Sequence, residues 1–415
     1  MRRETLKITR RNFIRYGVAG VVVVAGAVAA GKLSPIFRTG SSAVLHIKLA
    51  ITEALMEMVD GKLVYHWAFE DLNSAGHLPQ MPGPLIQAIE GDSIELSLTN
   101  TLPDTHGFRI PGVPGAVGAG IEIAPGETKV LTFAAPAGGS YMYLDHLNAP
   151  VNRVLGLHGP MVILPRAGNT PYSSPTPNVQ QLFNDLGKSA QFPGEPWIPE
   201  RTRIWLLNTI DPAFNSMAQK RQTIDPIRFK ENFLPRYFTI NGLSGAFASH
   251  DHHIIPAGRI GQPHLIRILN AGMAADSLHI HVNHVYVLSR VDDQGNNRVQ
   301  ENVFYIDTMT AKPMERMDWL LPFIRPPDIP GDESVPLRTL ISQELALTLG
   351  GVGQSPLSMP MHDHMEMSQT AAGGNYPQGL VTHWEITGDV DGVDFPNSNP
   401  KEGGGSNEEY HGGKG

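Results

Sequence analysis

Short runs of alternating apolar and polar residues, cut at close intervals by glycine and proline, constrain this chain most. Ile94-Glu-Leu-Ser-Leu-Thr-Asn100 alternates cleanly after the turn Glu90-Gly91-Asp92, and Lys129-Val-Leu-Thr-Phe133 follows the turn Pro125-Gly126-Glu127. Successive side chains of a strand point to opposite faces, so such runs build sheets with one buried side. Gly 43 and Pro 34 together are close to a fifth of the 415 residues, and apolar stretches of helical period are few. That favours many short strands over a helical bundle. The length suggests two or three domains of ~150 residues. One β pattern runs from Ala43 to about Pro165, and a second opens at Arg203-Ile-Trp-Leu-Leu207 and closes at Leu380-Val-Thr-His-Trp-Glu-Ile386. The chain is therefore expected to be all-β, with two antiparallel β-sandwich domains in tandem at residues 44–165 and 201–387. Residues 166–200, rich in Pro, Asn, Ser and Gly, read as a linker, and residues 388–415 as a disordered tail.

The first thirty residues read as an export leader. Thr9-Arg-Arg-Asn-Phe-Ile-Arg15 is basic, an uncharged run follows from Tyr16 to Gly31, and it ends in Ala27-Val-Ala-Ala30. A basic start, a short apolar stretch and a small-residue cleavage site make a signal peptide. Arg10-Arg11 with Phe13 is its twin-arginine form. The other reading is a membrane anchor, but the run falls short of the ~20 residues that span a bilayer. The expected location is periplasmic or extracellular, with no membrane association after cleavage. The whole chain carries −8, and removing a leader of net +5 leaves about −13. A chain that acidic, without a basic cluster, is not expected to bind nucleic acid. Cys is 0, which excludes disulfides, thiolate nucleophiles, iron–sulfur clusters and any blue copper site, since that needs a cysteine sulfur.

Histidine carries the chemical signal. There are 17, and His46, His66, His77, His264, His383 and His411 read as surface or core residues. His250-Asp251-His252-His253 reads as a solvated loop. Three places differ. His279-Ile280-His281 lies in a strand-like run, so both imidazoles leave one face. His362-Asp363-His364 repeats the spacing, and His146 follows the aromatic strand Tyr141-Met142-Tyr143. Two such pairs far apart in sequence converge only through tertiary structure. By spacing alone they are either ligands of one metal or histidines hydrogen-bonded at a domain interface.

Together these motifs resemble the multicopper oxidases, which are chains of cupredoxin β-sandwiches. Pro82-Gly-Pro-Leu-Ile-Gln-Ala-Ile-Glu-Gly-Asp92 with Leu98-Thr-Asn-Thr-Leu102 is similar to that family's opening motif. Gly139-Ser-Tyr-Met-Tyr-Leu-Asp-His146 with Gly156-Leu-His-Gly-Pro160 is similar to the segment closing the first domain. Phe238-Thr-Ile-Asn-Gly242 resembles a last-domain strand. Asp276-Ser-Leu-His-Ile-His281 with His284 resembles the His-Pro-x-His-Leu-His-Gly-His element, and Met361-His-Asp-His364 the terminal His-Cys-His element. The likeness covers most of residues 44–387, and it implies two cupredoxin-like domains.

The same resemblance shows which copper ligands are lost. The three strong type 1 positions hold Asp276, Asp363 and Ser368. Arg109 and Pro111 replace the first His-x-His, and Leu144 replaces one histidine of the second. One set is complete: His146, His281 and His362 occupy the three ligand positions of a single type 3 copper. The resemblance thus implies a mononuclear copper held by His146, His281 and His362, with zinc as a second metal that three histidines suit. His279 and His364 stand beside it as candidate catalytic groups that orient or shuttle a proton, and Asp145 or Asp363 as supports for an imidazole. His158 is a candidate substitute ligand or acid–base group. Met359, Met361, Met365 and Met367 read as core filler rather than Cu(I) ligands. Two functions follow: an exported copper-binding protein or copper oxidoreductase with an unknown substrate and electron donor, or a copper-free scaffold of the cell envelope. Two-domain relatives commonly build the equivalent seam between subunits, so a homotrimer is expected.

Overall fold

The computed structural model describes residues 44–73, 78–326, 334–337 and 356–395, with two short strands at Leu6–Ile8 and Val21–Val22. The leader expected at 1–30 otherwise lies outside the described residues, as does the tail beyond 395. Among the described residues, no helix is long and apolar enough to cross a membrane.

The first sandwich is built from β1 (Val44–Glu57), β2 (Leu63–Asp71), β3 (Leu85–Ile89), β4 (Ser93–Asn100), β5 (His106–Phe108), β6 (Ile121–Ile123), β7 (Thr128–Ala134), β8 (Gly139–Leu144) and β9 (His158–Leu164). One sheet runs β7-β4-β1-β2, the facing one β8-β9-β3. The alternation read in β4 is realised: Ile94, Leu96 and Leu98 are fully buried, with partly exposed residues between them. They meet Phe69, Phe108 and Tyr143 in a common core. Each sheet mixes antiparallel and parallel pairing, with β1 parallel to β4 and β9 parallel to β3.

The second sandwich comprises β10 (Thr202–Ile210), β11 (Tyr237–Ile240), β12 (Ala257–Arg259), β13 (His264–Asn270), β14 (Asp276–Ile280), β15 (Val285–Val291), β16 (Asn297–Ile306), β17 (Thr308–Ala311), β18 (Arg316–Leu321), β19 (Leu357–Asp363) and β20 (Val381–Gly388). Its sheets run β11-β10-β13-β18-β15-β16 and β12-β20-β19-β14-β17. Trp205, Trp319 and Trp384 fill the space between them.

The larger sheet is apolar on both sides. Every residue of β13 is buried, because its outer face is covered as well as its inner one. Leu206, Leu269 and Ala271 pack against Met142 and Leu144 of the first sandwich. Leu265, Leu288 and Leu320 pack against Tyr172, Val179, Leu182, Phe183 and Trp197. These last belong to residues 166–200, which correct the expectation of a linker: the segment folds onto the second sandwich. Within it, α1 (Pro177–Asp185) begins with Thr176, whose side chain accepts from Val179 N, and with proline in its first turn. Proline and asparagine that read as a linker serve here as helix punctuation.

The expectation of a tail from residue 388 is also corrected. Asp389 Oδ1 accepts from Leu337 N at 2.8 Å, and Phe395 is buried in the second core. Residues 388–395 are therefore part of the folded domain.

Candidate metal centre

The site grows from one ladder. β14 and β19 pair antiparallel with His279 directly opposite His362. The ladder continues through His281 N donating to Pro360 O at 3.0 Å and His364 N donating to Ser277 O at 2.8 Å. Because side chains alternate along each strand, Leu278, Ile280, Met361 and Asp363 point into the protein and are buried. The four intervening histidines share the opposite face. Ring centroids lie 4.7 Å apart for His279 and His281, 5.1 Å for His281 and His362, and 5.3 Å for His279 and His362. His364 stands 4.8 Å from His279 and 5.0 Å from His362.

The nitrogens converge too. Ligand atoms of His279, His281 and His362 all lie within 4.8 Å of one another, and His281 Nε2 is 2.9 Å from His362 Nε2. Two nitrogens each ~2.0–2.1 Å from one ion are about 3 Å apart, so this pair already has the spacing of neighbouring ligands. The rings are held from behind. His279 Nδ1 bonds Thr308 Oγ1 at 2.8 Å and Asp307 O at 3.1 Å. His362 Nδ1 meets Tyr376 Oη at 2.8 Å, and that hydroxyl donates on to Asp363 O at 2.5 Å. A proton on each Nδ1 leaves Nε2 as the free ligand nitrogen. Burial lowers the pKa of both His279 and His362, which keeps them neutral and able to ligate. His281 and His364 are exposed.

His146 is not in this group within one chain. It lies in the first sandwich just past β8, on a ladder where Arg109 bridges Leu144. Its ring fills a slot between two backbones: a Cβ added at Gly107 or Gly120 would come within 2.7 Å of it. His146 Nδ1 is buried without a hydrogen-bond partner among the described residues. Arg109 Nε donates to Gly118 O at 2.9 Å.

Behind the histidine face stand Asp276, Asp363 and Ser368, buried to 1%, 0% and 0% exposure. They do not fit type 1 copper, for they offer neither thiolate nor imidazole. Asp363 Oδ1 accepts from Ser277 N at 2.7 Å and Met365 N at 3.0 Å, tying the two histidine strands together. Asp276 Oδ2 accepts from Asn270 Nδ2 at 3.2 Å. Asp276 Oδ1 and Asp363 Oδ2 have no donor. Burial, then the adjacent Asp363, pushes the Asp276 carboxyl well above the ordinary range, and burial raises Asp363 as well. A proton on Asp276 removes the repulsion between two buried like charges.

Three other expectations resolve. His158 is fully buried, its Nδ1 held by Arg153 O at 2.7 Å, and burial lowers its pKa to about 3. It is a neutral core residue, not a member of the histidine group. Met361 is buried, and Met359 and Met365 pack on the same core, as filler. Asp145 supports an imidazole, but that of His106: the Nδ1–Oδ2 distance is 2.8 Å. The carboxylate also accepts from Gly107 N, Leu147 N and Asn152 Nδ2, each at 2.8 Å. No spacing rule joins His106 to Asp145, so this couple has no signature in the sequence. A cavity of about 350 Å³ lies beside it, lined by Glu53, Tyr65, Trp67, His106, Asn152 and Arg221 among others, and includes none of the four clustered histidines.

A family model described as multicopper oxidase matches residues 75–168. The copper-containing nitrite reductase of Pseudomonas chlororaphis is 38% identical over 96 residues, 21% of this chain and 26% of that one. That of Cereibacter sphaeroides is 27% identical over 173 residues, covering 40% and 43%. The L-ascorbate oxidase of Brassica rapa subsp. pekinensis is 37% identical over 94 residues, covering 20% and 16%. The chain thus spans less than half the length of each of these curated relatives. Among solved structures, the blue copper oxidase from Nitrosomonas europaea superposes with a TM-score of 0.55 at 21% identity, over 82% of this chain and 85% of that one. The multicopper oxidase mgLAC gives 0.56 at 20% identity, over 86% and 89%. At such identities these two establish the fold, tandem cupredoxin domains. Residues 75–168 are thus similar to a multicopper oxidase domain, the described chain shares the tandem cupredoxin fold, and it holds no cysteine.

Proposed function

We propose that this protein is exported and binds a single copper ion on the β14–β19 face. The observation that carries the reading is the 2.9 Å separation of His281 Nε2 and His362 Nε2 beside His279, with the Nδ1 atoms of His279 and His362 engaged elsewhere. Neutral imidazoles with fixed tautomers suit copper, the metal in the names of the relatives. Nothing in the comparisons supports zinc. His281 and His362 are the two central ligands. The third is His279 of the same face, or His146 presented by the first sandwich of a neighbouring copy. His146 earns its place from the glycine slot that fixes its ring. His364 and whichever of His279 and His146 does not ligate stand ready to orient a substrate or move a proton.

Bound copper supplies one-electron redox chemistry and a polarising cation at an open face. Asp276 and Asp363 replace the electron-entry ligands, so this chain offers no internal wire, and any donor must deliver to the exposed histidines directly. An oxidoreductase acting in one-electron steps is the reaction class this supports. Metal analysis of protein folded with copper tests the reading. The wild type is expected to bind one copper per chain more than the double variant His281→Ala/His362→Ala. His279→Ala and His146→Ala, compared singly, identify the third ligand. A folded wild type that takes up no copper leaves the copper-free scaffold as the function.

A further inference from the structure

The segment His250-Asp251-His252-His253 reads from sequence as a solvated loop, and the structure gives it more. Consecutive side chains of an extended strand diverge, so neighbouring histidines rarely share a ligand. Here the backbone turns instead. Asp251 O accepts from Ile254 N at 2.9 Å and from Ile255 N at 3.0 Å, and Asp251 Oδ1 accepts from His253 N at 2.8 Å. The turn brings the His252 and His253 ring centroids to 3.9 Å. A ligand atom from each of Asp251, His252 and His253 lies within 4.8 Å of the other two. Both imidazoles are exposed, so a metal meets them without an entry path.

The loop is also anchored. Ile254 is fully buried, its carbonyl accepts from Trp205 Nε1 at 2.9 Å, and Ile255 O accepts from Arg203 Nε at 2.8 Å. Its other end is fixed by His250 Nδ1 on Ala246 O at 2.7 Å. Ligands that are already gathered lose little freedom when they bind.

We infer that Asp251, His252 and His253 form a second transition-metal site, separate from the histidine face and open to solvent. Two imidazole nitrogens and one carboxylate oxygen select a borderline divalent ion. Among such ions, Cu(II) heads the affinity order for nitrogen–oxygen sites. The remaining coordination positions belong to water or to an incoming ligand, which makes this an exchangeable site.

The inference does not rest on the function proposed for the histidine face, and one experiment separates them. Full-length protein is dialysed against Cu(II) at equilibrium, and bound copper is measured for four proteins. These are the wild type, His252→Ala/His253→Ala, His281→Ala/His362→Ala and the combination of all four. The wild type is expected to bind one equivalent more than His252→Ala/His253→Ala, at an affinity lowered at least about tenfold in that variant. Because both rings are exposed, its melting temperature should match the wild type and exclude misfolding as the cause. Unchanged stoichiometry and affinity in His252→Ala/His253→Ala overturn the site. If that variant loses copper while His281→Ala/His362→Ala does not, this site stands and the reading of the histidine face falls.

Discussion

At the scale of single residues, the carboxyl pair behind the histidine face has the clearest consequence. Asp276 holds its proton above the ordinary carboxyl range, because burial and Asp363 both oppose its charge. A group whose folded pKa is raised contributes stability at pH below its unfolded value, about 3.9, and that contribution is lost as pH rises through the folded value. Asp276→Asn removes the titration and still presents N–H donors to Asp363. Its melting temperature, followed by calorimetry from about pH 4 to about pH 9, should therefore fall less steeply toward high pH than that of the wild type. Parallel curves would contradict a raised Asp276. The imidazoles obey the opposite sign. Burial lowers His279 and His362, so they stay neutral below the ordinary histidine value of about 6.5. Copper bound there should persist at pH 6 or so and be released only under more acid conditions, as read by dialysis at a series of pH values. The absence of cysteine adds a spectroscopic expectation. Copper-loaded protein should show a weak d–d band and no intense blue thiolate band, and a strongly blue sample would refute the assignment.

At the scale of elements, the sequence was legible where a local period governs. The two-residue spacing of His279-Ile280-His281 and His362-Asp363-His364 put two imidazoles on one face of each strand, and β14 and β19 carry them so. What the period does not contain is the partner strand and its register. Pairing His279 with His362 rests on a contact more than eighty residues apart, and the Thr308 and Tyr376 bonds that fix the rings reach across 29 and 14 residues. The Asp145–His106 couple escaped notice for the same reason. Residues 166–200 misled because composition reports a tendency to turn and break, while Tyr172, Phe183 and Trp197 supply the apolar anchors that fold the segment. Glycine spacing was equally silent about the slot for His146. Gly120 has φ 103°, and a Cβ there would reach within 2.7 Å of the ring. Gly120→Ala should therefore both strain the backbone and displace the imidazole, at a cost of about 1–3 kcal/mol of stability in chemical denaturation. If His146 is the third ligand, copper affinity should fall in this variant as well.

At the scale of the whole molecule, one buried node joins the parts, and one open face remains. Asp318 accepts from Ser140 Oγ at 2.6 Å, from Arg267 Nη1 at 3.1 Å and from Tyr172 Oη at 2.8 Å. The first sandwich, the folded segment and the second sandwich thus meet on a single carboxylate. Asp318→Ala strands the buried Arg267, and should cost about 3–5 kcal/mol in equilibrium unfolding. That node spends its polar groups holding one chain together, whereas on the histidine face His281 and His364 are exposed. The His146 ladder belongs to the first sandwich and the four-histidine face to the second, and the two are not joined in one ligand group. A cyclic assembly offers one way to bring them together, since each copy then presents its first sandwich to the next copy's second. Three copies would close such a ring with three equivalent seams, each placing one His146 beside one His281–His362 pair. Light scattering of the purified protein should then give a mass of three chains. His146→Ala should lower copper uptake in the trimer, and dilution to the single chain should lower it equally. A mass of one chain, with His146→Ala still abolishing copper binding, would reject the ring and place the seam within the monomer.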